Sequence, residues 1–222
     1  MVNELAPVVK DYHDLVRSDV LELVPSGMES VLDVGGGIGA SSAYLKSIGK
    51  ASKAVVVDLV ADNCLPEIDG AYCGNLESAD LLDRIRKDHQ GFDVILCLDV
   101  LEHLSDPWSV VARCHELLNP GGIILASIPN LRNYSVLMPL LFKGKFDLKD
   151  KGVLDRTHLR WFVRKTAIQL MTSSGLKLDH VEGRIYGRKL NYINKASFGA
   201  FSDLLFVQYF IRVQRPLDEL SH

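Results

Sequence analysis

Apolar positions along the chain switch between two periods, and the switch repeats. Over residues 5–24 they fall at helical spacing, with Val9, Tyr12, Val16, Val20 and Leu23 on one stripe, and Pro25-Ser26-Gly27 ends the run. Short unbroken apolar runs then alternate with helical ones. Residues 31–34, 54–58 and 92–98 read as buried strands, with a short strand near 71–73, and 40–48 and 79–88 read as the helices between them. Ser105-Asp106-Pro107 offers a side-chain cap followed by an early proline, so a helix is expected from there to about Leu118. Asn119-Pro120-Gly121-Gly122 reads as a turn leading into a strand over 123–128.

Strands separated by helices of this length predict a parallel, doubly wound sheet with right-handed crossovers. The pattern changes after Pro129-Asn130. Residues 131–162 mix apolar and basic side chains without a clean period, which suggests a lid or substrate-binding insertion with some structure of its own. Alternation resumes with a helix near 166–173, ended by Gly175, a strand near 178–181 and a closing strand over 204–212. A chain of 222 residues without repeat, linker or low-complexity tract is read as a single domain over 1–222, opened by a helix within 1–27. Such a domain buries roughly 70% of the surface its unfolded chain would expose.

The chemistry concentrates at the first strand-to-helix turn. Val34 runs into Gly35-Gly36-Gly37-Ile38-Gly39, a turn whose backbone can approach a ligand closely and whose following helix aims unpaired N–H groups back at it. Asp33 lies two residues before the first glycine, where a carboxylate would repel a pyrophosphate but receive a cation or a hydroxyl. Asp58 closes the second strand, where an acid accepts both hydroxyls of a ribose. Together they ask for a nucleoside with a charged amino-acid tail, a description that S-adenosylmethionine meets. Gly35, Gly37 and Ala40 also satisfy the looser dinucleotide pattern, so a nicotinamide cofactor stays open at this point.

Charge and cysteine usage narrow the partners. The formal net charge of −3 argues against a large nucleic-acid footprint, excluding DNA and disfavouring RNA. The basic residues gathered between Lys143 and Lys165 are read as a solvated loop and helix start. Cys64, Cys73, Cys97 and Cys114 are scattered, without metal or disulfide spacing, as expected of reduced thiols in the cytoplasm. No signal-peptide pattern opens the chain and no apolar run is long enough to span a bilayer.

Six segments in order then resemble one family, the class I S-adenosylmethionine-dependent methyltransferases. They are Leu32-Asp33-Val34-Gly35-Gly36-Gly37-Ile38-Gly39, Val57-Asp58-Leu59, Gly74-Asn75-Leu76-Glu77, Phe92-Asp93-Val94-Ile95, Leu101-Glu102-His103-Leu104 and Leu118-Asn119-Pro120-Gly121-Gly122. The likeness covers nearly the whole chain. It implies a Rossmann-like seven-stranded α/β sheet, mostly parallel with an antiparallel last strand, and helices on both faces. It further implies that Asp33, Gly35 and Gly37 line the methionine part of S-adenosylmethionine, Asp58 holds the ribose and Leu59 packs on the adenine. Asn75 stands where the family commonly has aspartate, and with Leu76 is expected near the adenine amino group. Leu98 and Asp99 would pass beside the reactive methyl. The family often has cysteine or another small residue where Gly36 stands. Residues 152–162 look like a small-molecule subgroup similar to ubiquinone-pathway and polysaccharide-associated methyltransferases.

The expected reaction is methyl transfer to a small molecule, most readily at a hydroxyl oxygen, for which a positioned base is useful. His158 and His103 are the candidate bases, with Asp155 beside His158 to orient or charge it; packing against the core is the competing role for His158. Some relatives hold a divalent cation with Glu-x-x-Glu-His and a later histidine. Here the corresponding set would be Asp99, Glu102, His103 and His158, one methylene shorter at its first member, so no metal is expected. The absence of an Asn/Asp-Pro-Pro-aromatic motif after Leu98 disfavours methylation of nucleobase amines. Competing readings are an NAD-dependent oxidoreductase and a non-catalytic cofactor-binding partner subunit. A homodimer is among the assemblies the sequence allows.

Overall fold

The computed structural model describes residues 16–217. Its sheet has seven strands in the order β3-β2-β1-β4-β5-β7-β6. The strands are β1 (Ser30–Val34), β2 (Lys53–Asp58), β3 (Gly70–Cys73), β4 (Phe92–Leu98), β5 (Leu118–Pro129), β6 (Lys177–Arg184) and β7 (Gln208–Gln214). β1 pairs in parallel with β2 and β4, and β4 with β5, whereas β7 is antiparallel to both β5 and β6. The expected mostly parallel sheet with an antiparallel last strand is therefore present.

Eight α-helices are found among the described residues: α1 (Ser18–Leu21), α2 (Ala40–Ser47), α3 (Ala79–Asp88), α4 (Pro107–Leu117), α5 (Tyr134–Lys143), α6 (Arg164–Thr172), α7 (Arg188–Ala196) and α8 (Ser202–Leu205). Alternation along the strands sends neighbouring side chains into two cores. Leu32, Val34, Val55 and Ile95 pack with α3, α4 and α6 on one face. Val31, Ala54, Val94 and Leu125 pack with α1 and α2 on the other. These central strands are apolar on both faces because helices cover both, which is why they read as unbroken apolar runs.

Three boundaries differ from the sequence reading, each for a local reason. The helix expected over 5–24 is helical only at Ser18–Leu21 among the described residues, and its portion before residue 16 lies outside them. Arg17 sits at φ −84°, ψ 56°, outside helical space, and its side chain turns into the cleft described below. The Asn119–Gly122 turn is absorbed into β5 as a bulge: Leu118 pairs with Phe92 and Ile123 with Val94, so the register shifts between them. The closing strand begins at Gln208, because 202–205 form α8 instead. There the side-chain amides of Asn130 and Asn133 donate to the carbonyls of Asp203, Leu205 and Phe206, replacing ladder partners. The insertion 131–162 contains α5, capped by Asn133, whose side chain accepts from the Ser135 amide at 3.0 Å. The sequence pattern did not show α7.

Candidate active site

The strand order reverses between β1 and β4, and both strands end in the same cleft, the place where open α/β sheets bind ligands. The cleft has a volume of about 930 Å³. One end is lined by Asp33, Gly35, Asp58, Leu59, Asn75 and Leu76, the other by Arg17, Asp99, His158, Tyr186 and Gln208.

At the first end the main chain does most of the work. Gly35 takes φ +69°, and a Cβ there would stand 2.6 Å from Val100 Cγ2, so both conformation and space demand glycine. A Cβ at Gly36 would collide with the Asp33 carboxyl carbon. The departure from the family's frequent cysteine is thus matched to the pose of Asp33. Asp33 is 2% exposed and its Oδ2 has no partner. Burial raises its pKa to about 6, with Ser42 hydrogen bonds pulling the other way and Asp58 adding to the rise. Asp58 Oδ2 accepts from the Gly37 amide at 2.9 Å and its Oδ1 from the Val60 amide at 3.0 Å. Leu59 is 67% exposed, an apolar side chain held at the cleft edge, while Leu76 is buried. Asn75 Oδ1 accepts from the Glu77 amide at 2.9 Å, an Asx turn that uses one of its two lone pairs.

A buried carboxylate with one oxygen unpartnered, beside a glycine cradle and a second carboxylate fixed by amides, suits a ligand bringing a cation and a diol. These groups fit S-adenosylmethionine.

The other end is built from side chains. Asp99, just past β4, adopts φ +53°. Its amide donates to Ser127 Oγ at 2.8 Å, and the same hydroxyl donates to its Oδ1 at 2.8 Å. Arg17 Nη1 pairs with its Oδ2. With its amide oriented to satisfy these neighbours, Gln208 donates to Asp99 Oδ1 at 3.2 Å and accepts from Arg17 Nη2 at 2.8 Å and Tyr186 OH at 2.6 Å. Burial, then the nearby Asp19 charge, pushes the Tyr186 pKa up. Arg17, Ser127, Tyr186 and Gln208 were not singled out from the sequence. The one signal available was Gln208, a polar residue interrupting the apolar run 204–212.

His158 also belongs to a triad with Glu102 and His103, whose candidate ligand atoms fall within 4.8 Å of one another. His158 is 8% exposed, and burial first, then the neighbouring His103, lowers its pKa. Its Nδ1 lies 3.2 Å from the Val153 carbonyl, as His103 Nδ1 lies 3.2 Å from the Thr157 carbonyl. A carbonyl can only accept, so each ring carries a proton on Nδ1, and neutral His158 keeps its lone pair on Nε2. His158 Nε2 stands 4.0 Å from Glu102 Oε1. Glu102 is 1% exposed, and burial raises its pKa to about 8. Of the two roles expected of Asp155, to orient or to charge His158, the second has support, since its charge pulls the His158 pKa up. Its carboxylate accepts from the Thr157 amide at 2.9 Å and hydroxyl at 2.7 Å, and against the upward pull of burial these bonds hold its pKa low. Asp99 does not join the triad, being held by Arg17 and Ser127.

Residues 9–181 match a family described as a methyltransferase domain. The ubiquinone biosynthesis O-methyltransferase of Saccharophagus degradans is 30% identical over 196 residues, which cover 83% of this chain and 76% of that protein. This chain belongs to the S-adenosylmethionine-dependent methyltransferases. The corresponding Coxiella burnetii (strain RSA 331) protein, of the same name, is 30% identical over 165 residues, covering 70% of this chain and 67% of its own. In fold the methyltransferase is similar to an S-adenosylmethionine-dependent methyltransferase of Mesorhizobium loti, with a TM-score of 0.58 at 17% identity over 89% of this chain and 96% of that one. An Archaeoglobus fulgidus methyltransferase superposes with a TM-score of 0.58 at 15% identity, over 86% and 87% of the two chains. The oxidoreductase and non-catalytic readings give way to an enzyme using S-adenosylmethionine. No helix among the described residues is long and apolar enough to cross a membrane.

Proposed function

We propose that this methyltransferase alkylates a hydroxyl oxygen of a small molecule, with His158 as the base. The observation carrying the reading is His158 itself: a buried imidazole in the cofactor cleft, kept neutral by burial, with Nδ1 fixed on a carbonyl and Nε2 bearing the lone pair. A neutral imidazole can accept a hydroxyl proton as the oxygen attacks. Asp33 would hold the ammonium of the cofactor's methionyl tail, Gly35 and Gly37 its main-chain cradle, and Asp58 the ribose hydroxyls. Leu59, Asn75 and Leu76 would enclose the adenine, and Leu98 and Asp99 would border the transferring methyl. The bound cofactor supplies an electrophilic methyl on a sulfonium, so the protein's own contribution is alignment, proton removal and exclusion of water. Residues 131–162 would act as the lid, since Val153, Asp155 and His158 line the cleft from that segment. The relatives' names, which specify O-methyl transfer, support the oxygen acceptor. Four unpaired cysteines agree with a single-domain enzyme of the cytoplasm.

A second reading adds a divalent cation to the triad of Glu102, His103 and His158, favoured by their convergence within 4.8 Å. There it would act as a Lewis acid on the acceptor oxygen.

The test is production of S-adenosylhomocysteine from a panel of phenols, catechols and sugars, set against amines of similar size. Transfer to a hydroxyl that is lost in His158→Gln, with S-adenosylhomocysteine affinity retained, is the expected result. Transfer to amines alone, or a fully active His158→Gln enzyme, overturns the reading. Dependence on added magnesium after chelation selects the second form.

A further inference from the structure

The helix α5 and the segment after it present a surface that the fold does not use. α5 reads Tyr-Ser-Val-Leu-Met-Pro-Leu-Leu-Phe-Lys, yet of these residues only Val136 is buried. A helix apolar around most of its circumference belongs inside a protein or against another apolar phase. Here it is followed by an unbroken exposed stretch, and every residue from 140 to 152 is exposed. Leu141 is 64% exposed and Phe142 79%, the most protruding positions of the helix end. The chain folds back at Gly144, whose amide donates to the Leu140 carbonyl at 3.1 Å, and brings Phe146 against Trp161, ring centroids 5.8 Å apart. Leu148 is also exposed, at 49%. Exposed apolar and aromatic side chains thus recur from the end of α5 to Leu148, and Phe146 carries the series to Trp161.

Positive charge is in excess around these side chains. Residues 143–165 hold eight Lys and Arg against three Asp, a local net of +5 in a chain whose net charge is −3. Two of the acids are engaged locally, Asp150 by Arg156 and Asp155 by Thr157, while Lys143 and Lys145 directly flank Phe142 and Phe146.

We propose that this face is a docking surface for an anionic lipid bilayer, with Leu141, Phe142, Phe146 and Trp161 seated at the headgroup boundary and the flanking lysines on lipid phosphates. Aromatic and aliphatic side chains interleaved with Lys and Arg are the composition that interfacial segments use, and an exposed patch of this kind on one face marks an interaction site. A second copy of the chain pairing through the same face would bring two positive rims together, which disfavours it. A nucleic acid would use the lysines but gain little from the aliphatic side chains that protrude furthest. The same segment lines the cleft from within, through Val153, Asp155 and His158, so docking sets the cleft mouth beside the headgroups. The proposal does not depend on the acceptor being a hydroxyl.

Co-sedimentation of the full chain with phosphatidylcholine vesicles, with and without phosphatidylglycerol, tests it. Binding is expected to the anionic vesicles only, and to fall by about tenfold or more in a Leu141→Ser/Phe142→Ser variant and in a Lys143→Glu/Lys145→Glu variant. S-adenosylhomocysteine binding unchanged in both variants shows that they fold. Absence of binding to anionic vesicles overturns the proposal. So does binding untouched by the Leu141/Phe142 variant and fully competed by RNA, which would assign the face to a nucleic acid. Loss of self-association in that variant, without any vesicle binding, would instead assign the face to a second copy.

Discussion

Asp58 and Asp99 stand at the ends of the two strands that flank β1, one closing β2 and the other following β4. They are held in place by opposite means. Asp58 is gripped by two main-chain amides, those of Gly37 and Val60, so no neighbouring side chain has to be kept for it to stay where it is. Asp99 is gripped by Ser127, Arg17 and Gln208, residues brought from 28 and 82 positions away and from β7. A site made from backbone is set once the fold forms, and it suits a ligand that never changes. A site made from side chains on distant elements can be altered one substitution at a time. In the proposed function the first is the cofactor end, and the second is the end left for the acceptor.

The most severe way to break the backbone-built end is to give Gly35 a side chain. In Gly35→Ala the Cβ meets Val100 Cγ2 at 2.6 Å with φ held at +69°. Strain of the left-handed conformation and overpacking together should cost about 2–4 kcal/mol, seen as a lowered midpoint in thermal or denaturant unfolding. Next comes Asp58→Ala, which removes the acceptor of the Gly37 and Val60 amides together with the charged acceptor proposed for the ribose. A loss of roughly hundredfold in S-adenosylhomocysteine affinity is expected by calorimetry, from about 3 kcal/mol of charge-assisted hydrogen bonding. An affinity within threefold of the parent would show that Asp58 does not hold the ribose.

The same contrast governs what could be read from the chain alone. The turn at Gly35–Gly37 and the acid closing β2 are contiguous with strand patterns, so local sequence exposed them. Arg17, Tyr186 and Gln208 meet only after the sheet has assembled, and nothing adjacent to them in sequence marks the meeting. Arg17 was hidden further because its neighbours Val16 and Val20 keep helical spacing, while its own backbone leaves the helix to reach Asp99. Histidines 103 and 158 were visible as residue types. Their shared orientation on the Thr157 and Val153 carbonyls was not, because main-chain acceptors leave no trace in side-chain identity. Asp155 was legible as a charge near His158, whereas its hydrogen bonds from Thr157 were not.

Asp33 sharpens the comparison through pH. Burial raises its folded pKa to about 6, above the ordinary 3.8, so the native state without ligand favours the protonated form. The stability it contributes is therefore complete below pH about 4 and is lost as pH rises toward 6. An ammonium arriving at Asp33 needs the ionised form, which gives ligand affinity the opposite slope. S-adenosylhomocysteine binding should be strongest above pH 6 and weaken as pH falls through it. In Asp33→Asn the slope should flatten and binding weaken at pH 7, while the ligand-free protein melts higher than the parent. A parent whose affinity does not change between pH 5 and 7.5 would remove Asp33 from the ammonium site.

The smallest effect on the cofactor should come from the acceptor end. Arg17→Ala removes the partner of a largely buried Asp99 carboxylate and frees Gln208, at a cost of about 1–2 kcal/mol in stability. Because Asp58 and Asp33 do not depend on Arg17, S-adenosylhomocysteine affinity should stay within a few-fold of the parent. Turnover should fall instead, since Asp99 borders the proposed path of the methyl and would lose its fixed pose. Arg17→Lys restores charge but not the guanidinium's paired contacts to Asp99 and Gln208, and should recover stability better than turnover. A calorimetric titration beside an initial-rate measurement separates the two ends. If Arg17→Ala weakened cofactor binding as much as Asp58→Ala does, the cleft would be one cooperative site, and the division between a backbone-built half and a side-chain-built half would fail.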